Sequence, residues 1–200
     1  MPDPKVKAQS NDPRQTELAS SFTVADYESA VKAQDSVKIA NALRRRFSER
    51  YIEPVTPSNG KQVHGFTMMA VSCLMMESLE SFCQGWKNSD RKSELAFCHF
   101  FDNHRQFDSF RGYSAQFYKN VRCGILHQAE TTGGWKITRG KAAPLFDPGP
   151  SPTINATLFL QRLREVLDGF CDGLKTAAWN STEWTNARTK MKALCDNCRP

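Results

Sequence analysis

Arg122 and His127, with four residues between them, form a pair whose side chains could together cleave RNA. Histidine titrates near neutral pH, so His127 could act as general base or acid on a ribose 2′-hydroxyl or on a leaving 5′-oxygen. Arg122 stays charged and offers several N–H donors to a phosphate whose negative charge grows in the transition state. Attack by the 2′-hydroxyl needs no metal and would leave a 2′,3′-cyclic phosphate.

The pair lies in the most basic part of the chain. Residues 111–145 carry six of the 27 basic side chains but only one of the 21 acidic ones, and aromatic residues are interleaved with them. A local excess of this kind suggests a polyanionic partner, but from charge alone a basic face that is merely solvated stays equally open. Beside the catalytic pair, five residues are predicted to contact nucleic acid: Arg111, Lys119, Asn120, Lys136 and Arg139.

The elements that must position these residues are helices. Apolar residues recur at helical spacing in several segments, and Thr23 and Asn155 are suitable N-cap residues. A short hairpin or irregular loop is expected around Gly133, after the helix that carries the motif, and no series of strands is apparent. The sequence therefore predicts an all-α bundle of five to six helices, over residues 23–51, 63–86, 91–103, 108–129, 155–174 and 182–194.

The spacing within the motif helix sets a geometric condition. Its apolar face is predicted to contain Phe110, Tyr113, Phe117, Val121, Gly124 and Ile125. Arg122 falls on an opposite flank, and His127 lies about 140° further around an ideal helix. One regular helix would not bring the two side chains together. Either the helix ends or distorts around Gly124, or two copies of the chain meet across a twofold axis.

The stretch V-R-C-G-I-L-H-Q-A-E-T, followed by G-G-W-K-I, resembles the R-x4–6-H motif of the HEPN superfamily. The resemblance covers about 117–137 as a motif and about 24–175 as an architecture. It implies a HEPN-like helical bundle and a metal-independent endoribonuclease, of the kind found among toxins and phage-defence effectors. It also implies a homodimer with the site at the twofold interface, and an antitoxin or other regulatory protein as a possible partner. Many active members have a polar residue, often Asn, where this chain has Cys123.

Three other functions stay open at this point. The chain could be a non-catalytic HEPN-like module that binds nucleic acid or a nucleotide and dimerises, which Cys123 favours. It could be a helical protein-interaction domain that uses the Arg44–Arg46 run or the tail around Cys195 and Cys198. A thiol enzyme based on Cys123 is a further alternative.

Composition suggests the setting in which the domain works. Residues 1–22 are predicted to be a flexible arm, 23–177 the helical domain, and 178–200 a C-terminal helix and tail. The seven cysteines are an odd number and favour free thiols in a reducing cytoplasm, and neither a secretory signal nor a membrane span is expected. No cofactor is expected, and no metal either, because His64, His99 and His104 show no HExxH spacing.

Overall fold

The computed structural model describes residues 12–56, 64–140 and 142–198 of the 200-residue chain. Most of these residues are helical, which confirms a helical bundle. The α-helices are α1 (Val24–Lys32), α2 (Ser36–Phe47), α3 (Gly65–Cys83), α4 (Ser93–Asn103), α5 (Ser114–Phe117), α6 (Gly124–Gln128), α7 (Ala156–Thr176) and α8 (Thr182–Asp196). Short 3-10 turns cover Pro13–Gln15, Glu53–Val55 and Arg105–Phe110, and π-helical segments cover Ser48–Ile52 and Tyr118–Cys123.

Helix α3 is the centre of the bundle and packs against α4, α7 and α8, while α2 packs against α7. Its four methionines are all buried, in agreement with the prediction that this apolar stretch is a packing helix: Met68, Met69, Met75 and Met76. Unbranched methionine side chains fill the irregular space between several helices. Of the described helices, α3 alone is long and apolar enough to cross a membrane, but most of its apolar window is buried inside the bundle.

The predicted helix over 23–51 is two helices. Thr23 and Asp26 form the expected capping box at the start of α1. The chain then turns at Gln34, which adopts a left-handed φ of 52°. Asp35 accepts a hydrogen bond from the backbone N–H of Lys38 and so caps α2 as a new helix. An aspartate directly before an apolar stretch is an N-cap signal, and the predicted single helix overlooked it at Asp35.

The bundle also contains strands, so the expectation of a purely α-helical fold is wrong in this respect. Strand β1 (Glu17–Ala19) pairs antiparallel with β2 (Phe22–Thr23). In a second sheet, β5 (Thr153–Asn155) lies between β3 (Lys136–Thr138), which is parallel to it, and β4 (Phe146–Asp147), which is antiparallel. Segments of two or three residues are too short to show the alternating pattern of a strand. This sheet stands where a hairpin or irregular loop was predicted.

Both ends of the described chain pack on the bundle. Leu18, Ala19 and Phe22 are buried, so residues 12–22 differ from the flexible arm that was expected, and residues 1–11 lie outside the described residues. At the other end, α8 buries Trp184 and Met191 against the same core.

The Arg44–Arg46 run is used within the molecule. Arg44 pairs with Asp168 at 2.9 Å and with Asp172 at 2.8 Å, both on α7. Arg45 and Arg46 each donate a 2.6 Å hydrogen bond to a backbone carbonyl of the N-terminal segment. These contacts fasten α7 and residues 18–20 to α2, which weakens the idea that the run is a docking surface.

Candidate functional site

The motif helix runs from Ser114 to Gln128 and widens in its middle. Residues Tyr118–Cys123 form a π-helical segment between α5 and α6. Such wide turns are rare and occur frequently at functional sites. The distortion ends directly before Gly124, at the point where one of the two geometric alternatives required it. On the inner face, Phe117 and Val121 are fully buried, as the apolar pattern predicted.

A loop folds back against this widened segment. The backbone N–H of Thr132 donates to the backbone oxygen of Asn120 at 2.9 Å, and the Thr132 hydroxyl donates to its Oδ1 at 3.0 Å. Asn120 was predicted to contact nucleic acid, but in the structure its oxygens hold this loop. Gly124 permits the close approach, because a Cβ there would lie 2.5 Å from the backbone oxygen of Glu130.

The Gly124→Ala variant should therefore be destabilised. The added methyl group would meet backbone atoms that cannot rotate away, and overpacking of this kind costs about 1–3 kcal/mol. Gly169→Ala is the matched control, since Gly169 lies in α7 with open space around its Cβ position. That change should stabilise the protein by about 0.5–1 kcal/mol. Urea denaturation of both variants measures the difference, and equal stabilities would contradict the close contact.

Arg122 is directed inward rather than toward solvent. Its Nη2 lies 3.0 Å from Oε2 and 3.3 Å from Oε1 of Glu77 on α3, and only 17% of its side chain is exposed. Its Nε is buried and has no hydrogen-bond acceptor within the described ranges. An ideal helix predicts only that Arg122 lies opposite the apolar face, whereas in the structure its guanidinium is paired with Glu77 of the core helix.

The pair with Glu77 keeps Arg122 charged. Burial lowers the pKa of the guanidinium, but the hydrogen bond and the negative charge of Glu77 outweigh it and raise the pKa above its usual value. The guanidinium also lies 5.6 Å from the centre of the Tyr118 ring, within range of a cation–π contact. Burial, followed by the neighbouring Cys123, raises the pKa of the Tyr118 hydroxyl. Arg122 is therefore a fixed, ionised group.

The Glu77→Gln variant tests how much this ion pair stabilises the fold. Because the pair is largely buried, loss of its charge should lower the free energy of unfolding by about 2 kcal/mol. Glu165→Gln is the control: Glu165 pairs with Arg162 three residues earlier, in an exposed part of α7. Its loss should cost at most about 0.5 kcal/mol. Chemical denaturation of the two variants side by side gives the comparison, and similar losses would show that the Glu77 pair is unimportant.

His127 is exposed and is the last residue but one of α6. Ala129, the residue after the helix, adopts a left-handed φ of 56°. Within the described part of the chain, no side chain or backbone group is hydrogen-bonded to the imidazole of His127, that of Arg122 included. The imidazole is thus free to meet a substrate.

The remaining predicted residues are distributed around this helix. Lys119 is exposed at a cleft of about 500 Å³. Arg111 is exposed but pairs with Asp108 at 2.9 Å, and Lys136 and Arg139 are exposed on and just after β3. The cleft is lined by Glu94, Gly112, Ala115, Gln116, Tyr118, Lys119 and Cys123.

Comparison of the chain with protein-family models, with curated proteins and with solved structures gives no match.

The residue that sequence reasoning missed at this site is Glu77. It is one of two acids in the most apolar helix of the chain, and a charge buried in such surroundings requires a partner. The isolated acidic position was a usable signal, although nothing in the spacing indicates that Arg122 is the partner.

Proposed function

We propose that this chain is a metal-independent endoribonuclease of the HEPN type. The observation that carries the proposal is the combination of a fixed, ionised Arg122 with an exposed and unpaired His127 within one distorted helix of the described structure. Exposed Lys119 nearby adds a second positive charge for a phosphate. An immobile cation and a free imidazole are the two groups that phosphodiester cleavage by a 2′-hydroxyl requires.

In the proposed reaction, His127 takes the proton of the ribose 2′-hydroxyl as its oxygen attacks phosphorus. The bond between phosphorus and the 5′-oxygen breaks, and the leaving oxygen receives a proton from the imidazolium or from water. Arg122 stabilises the charge on the phosphoryl oxygens. The products are a 2′,3′-cyclic phosphate and a 5′-hydroxyl. This chemistry suits an intracellular RNA substrate.

A homodimer is part of the proposal. Within the described part of one chain no hydrogen bond joins Arg122 to His127, and a twofold arrangement that places His127 of one protomer near Arg122 of the other would complete the site. Light scattering should give twice the chain mass of 22.6 kDa. A toxin or phage-defence role would add an antitoxin or regulatory protein as a second partner.

The deciding experiment is incubation of the purified protein with labelled RNA in EDTA. Circular dichroism in the same buffer verifies that the protein stays folded. Fragments with 2′,3′-cyclic phosphate ends would support the proposal, and their absence at high enzyme concentration would contradict it. The variant that assigns the activity to His127 is treated in the Discussion.

A non-catalytic RNA-binding module is the second candidate, and the Glu77 pair favours it. An arginine whose guanidinium already bonds a carboxylate has fewer donors for substrate, and Cys123 replaces the polar residue common in active members of the superfamily. This candidate predicts salt-sensitive RNA binding that Lys119→Ala and Lys136→Ala weaken, without products. Lys32→Ala, on distant α1, should have no effect. Absence of RNA affinity at low salt would leave a protein-interaction domain.

A further inference from the structure

A second cluster of reactive side chains lies at the other end of α3. Glu80 and Cys83 stand three residues apart on its last turn, and His104 follows the last residue of α4. One ligating atom from each of these three side chains lies within 4.8 Å of the others. Helices α3 and α4 pack against each other here, so the cluster is formed by tertiary structure.

Glu80 is the most deeply buried acid of the described chain, at 1% exposure. Its Oε1 accepts a 2.8 Å hydrogen bond from the Gln84 amide, and no lysine or arginine among the described residues pairs with it. A carboxylate taken out of water needs a compensating positive charge.

His99 supplies a fourth candidate ligand. Its Nδ1 is buried, has no hydrogen-bond partner in the described part of the chain, and lies 3.7 Å from Oε1 of Glu80. An imidazole nitrogen without a hydrogen-bond partner has a free lone pair, which can bind a metal ion.

We propose that Glu80, Cys83, His99 and His104 bind one Zn²⁺ ion. Two imidazoles, one thiolate and one carboxylate are all zinc ligands, and the two anions would balance the charge of the ion. With zinc bonds of about 2.0–2.3 Å, ligand atoms of a tetrahedral site stand about 3.3–3.8 Å apart. The 3.7 Å separation between His99 and Glu80 already meets this. The ligand atoms of Glu80, Cys83 and His104 lie within 4.8 Å of one another and need to approach by at most about 1.5 Å. The thiol proton of Cys83 passes to solvent on binding.

The spacing of these residues in the sequence also fits a zinc site. Glu80-x2-Cys83, 15 further residues and His99-x4-His104 follow the ligand spacing of a two-plus-two zinc site, with Glu in place of the first cysteine. The expectation of no metal rested on the absence of HExxH spacing, which this pattern does not need. The ion would join the end of α3 to α4 across the connecting turn, and the proposal does not depend on the proposed ribonuclease activity.

Cobalt is the probe for the test, because a thiolate bound to Co²⁺ gives a charge-transfer absorption band. Protein stripped with a chelator and desalted should bind one Co²⁺ per chain with this band, and Zn²⁺ should displace it. Cys83→Ser should abolish the band. His104→Gln should weaken binding by about tenfold or more, the effect seen even for supporting residues of a metal site.

Cys98→Ser and Cys198→Ser are the matched controls, since both thiols are partly exposed and lie outside the cluster. Both variants should keep the band, and Zn²⁺ should raise their melting temperature as it does for the wild type but not for Cys83→Ser. A band that survives Cys83→Ser, or that is lost in Cys198→Ser, would overturn the proposal. So would a folded wild type with no saturable binding. If Cys83→Ser does not fold, the wild-type titration and His104→Gln decide the question.

Discussion

Replacing His127 with alanine should lower the rate of RNA cleavage by about 10²- to 10⁴-fold, the contribution expected of a general acid–base group. The imidazole is exposed and bonded to nothing within the described residues, so the fold does not depend on it. The free energy of unfolding should change by no more than about 0.5 kcal/mol. Initial rates on labelled RNA, with a denaturation curve of the same preparation, measure both quantities.

His64→Ala is the matched control for this variant, because His64 is an exposed histidine directly before α3 and distant in sequence from the motif. It should cut RNA at the wild-type rate. If His127→Ala is equally active, the ribonuclease proposal is wrong in its assignment of the base. Arg122→Ala alone would leave the buried Glu77 unpaired, so the double variant with Glu77→Gln is the fairer test of the arginine.

Replacing Phe117 with alanine should lower the free energy of unfolding by about 4 kcal/mol. The ring is fully buried and meets five others, with centroid distances of 5.0–6.2 Å: Phe97, Phe101, Phe110, Trp135 and Phe159. The variant loses both the buried area and the edge-on and stacked contacts. Urea denaturation measures the loss.

Phe66→Ala is the comparison for Phe117→Ala, since the Phe66 side chain on α3 is 36% exposed. Its loss should cost only about 1–2 kcal/mol, because about a third of its surface is already in solvent and no cavity is left in the core. If the two variants lose similar amounts of unfolding free energy, the aromatic cluster does not stabilise the motif helix. Phe117 directly precedes the π-helical segment, so the same variant should also weaken RNA binding.

The helices were predictable from the sequence where they are long and amphipathic. The pattern over 63–86 matches α3 (Gly65–Cys83), and Asn155 caps α7 as expected. The sheet was not predictable, because β4 and β5 contain two and three residues and owe their pairing to tertiary contacts. The break at Gln34 was missed because both flanking segments have helical apolar spacing, and spacing alone does not show where one helix ends and the next begins.

For the candidate site, the sequence indicated which residues could act and that the motif helix must be distorted. It did not indicate in which direction each side chain points. His127 is exposed as catalysis requires, whereas Arg122 is turned inward by the wide turn and Asn120 is engaged by a loop. These outcomes depend on Glu77 and Thr132, which are distant in the chain, and an ideal helix wheel cannot represent either contact. Spacing alone therefore could not distinguish a solvated arginine from a buried one.

The aromatic cluster also bears on how fast the chain folds. Six phenylalanines of this region lie within 21 consecutive residues, and several of their rings are in direct contact: Phe97, Phe100, Phe101, Phe107, Phe110 and Phe117. Closing such short loops costs little chain entropy, whereas the packing of α2 on α7 must join segments more than a hundred residues apart. The region beneath the motif helix is thus expected to be formed in the folding transition state, and α1 and α2 to dock afterwards.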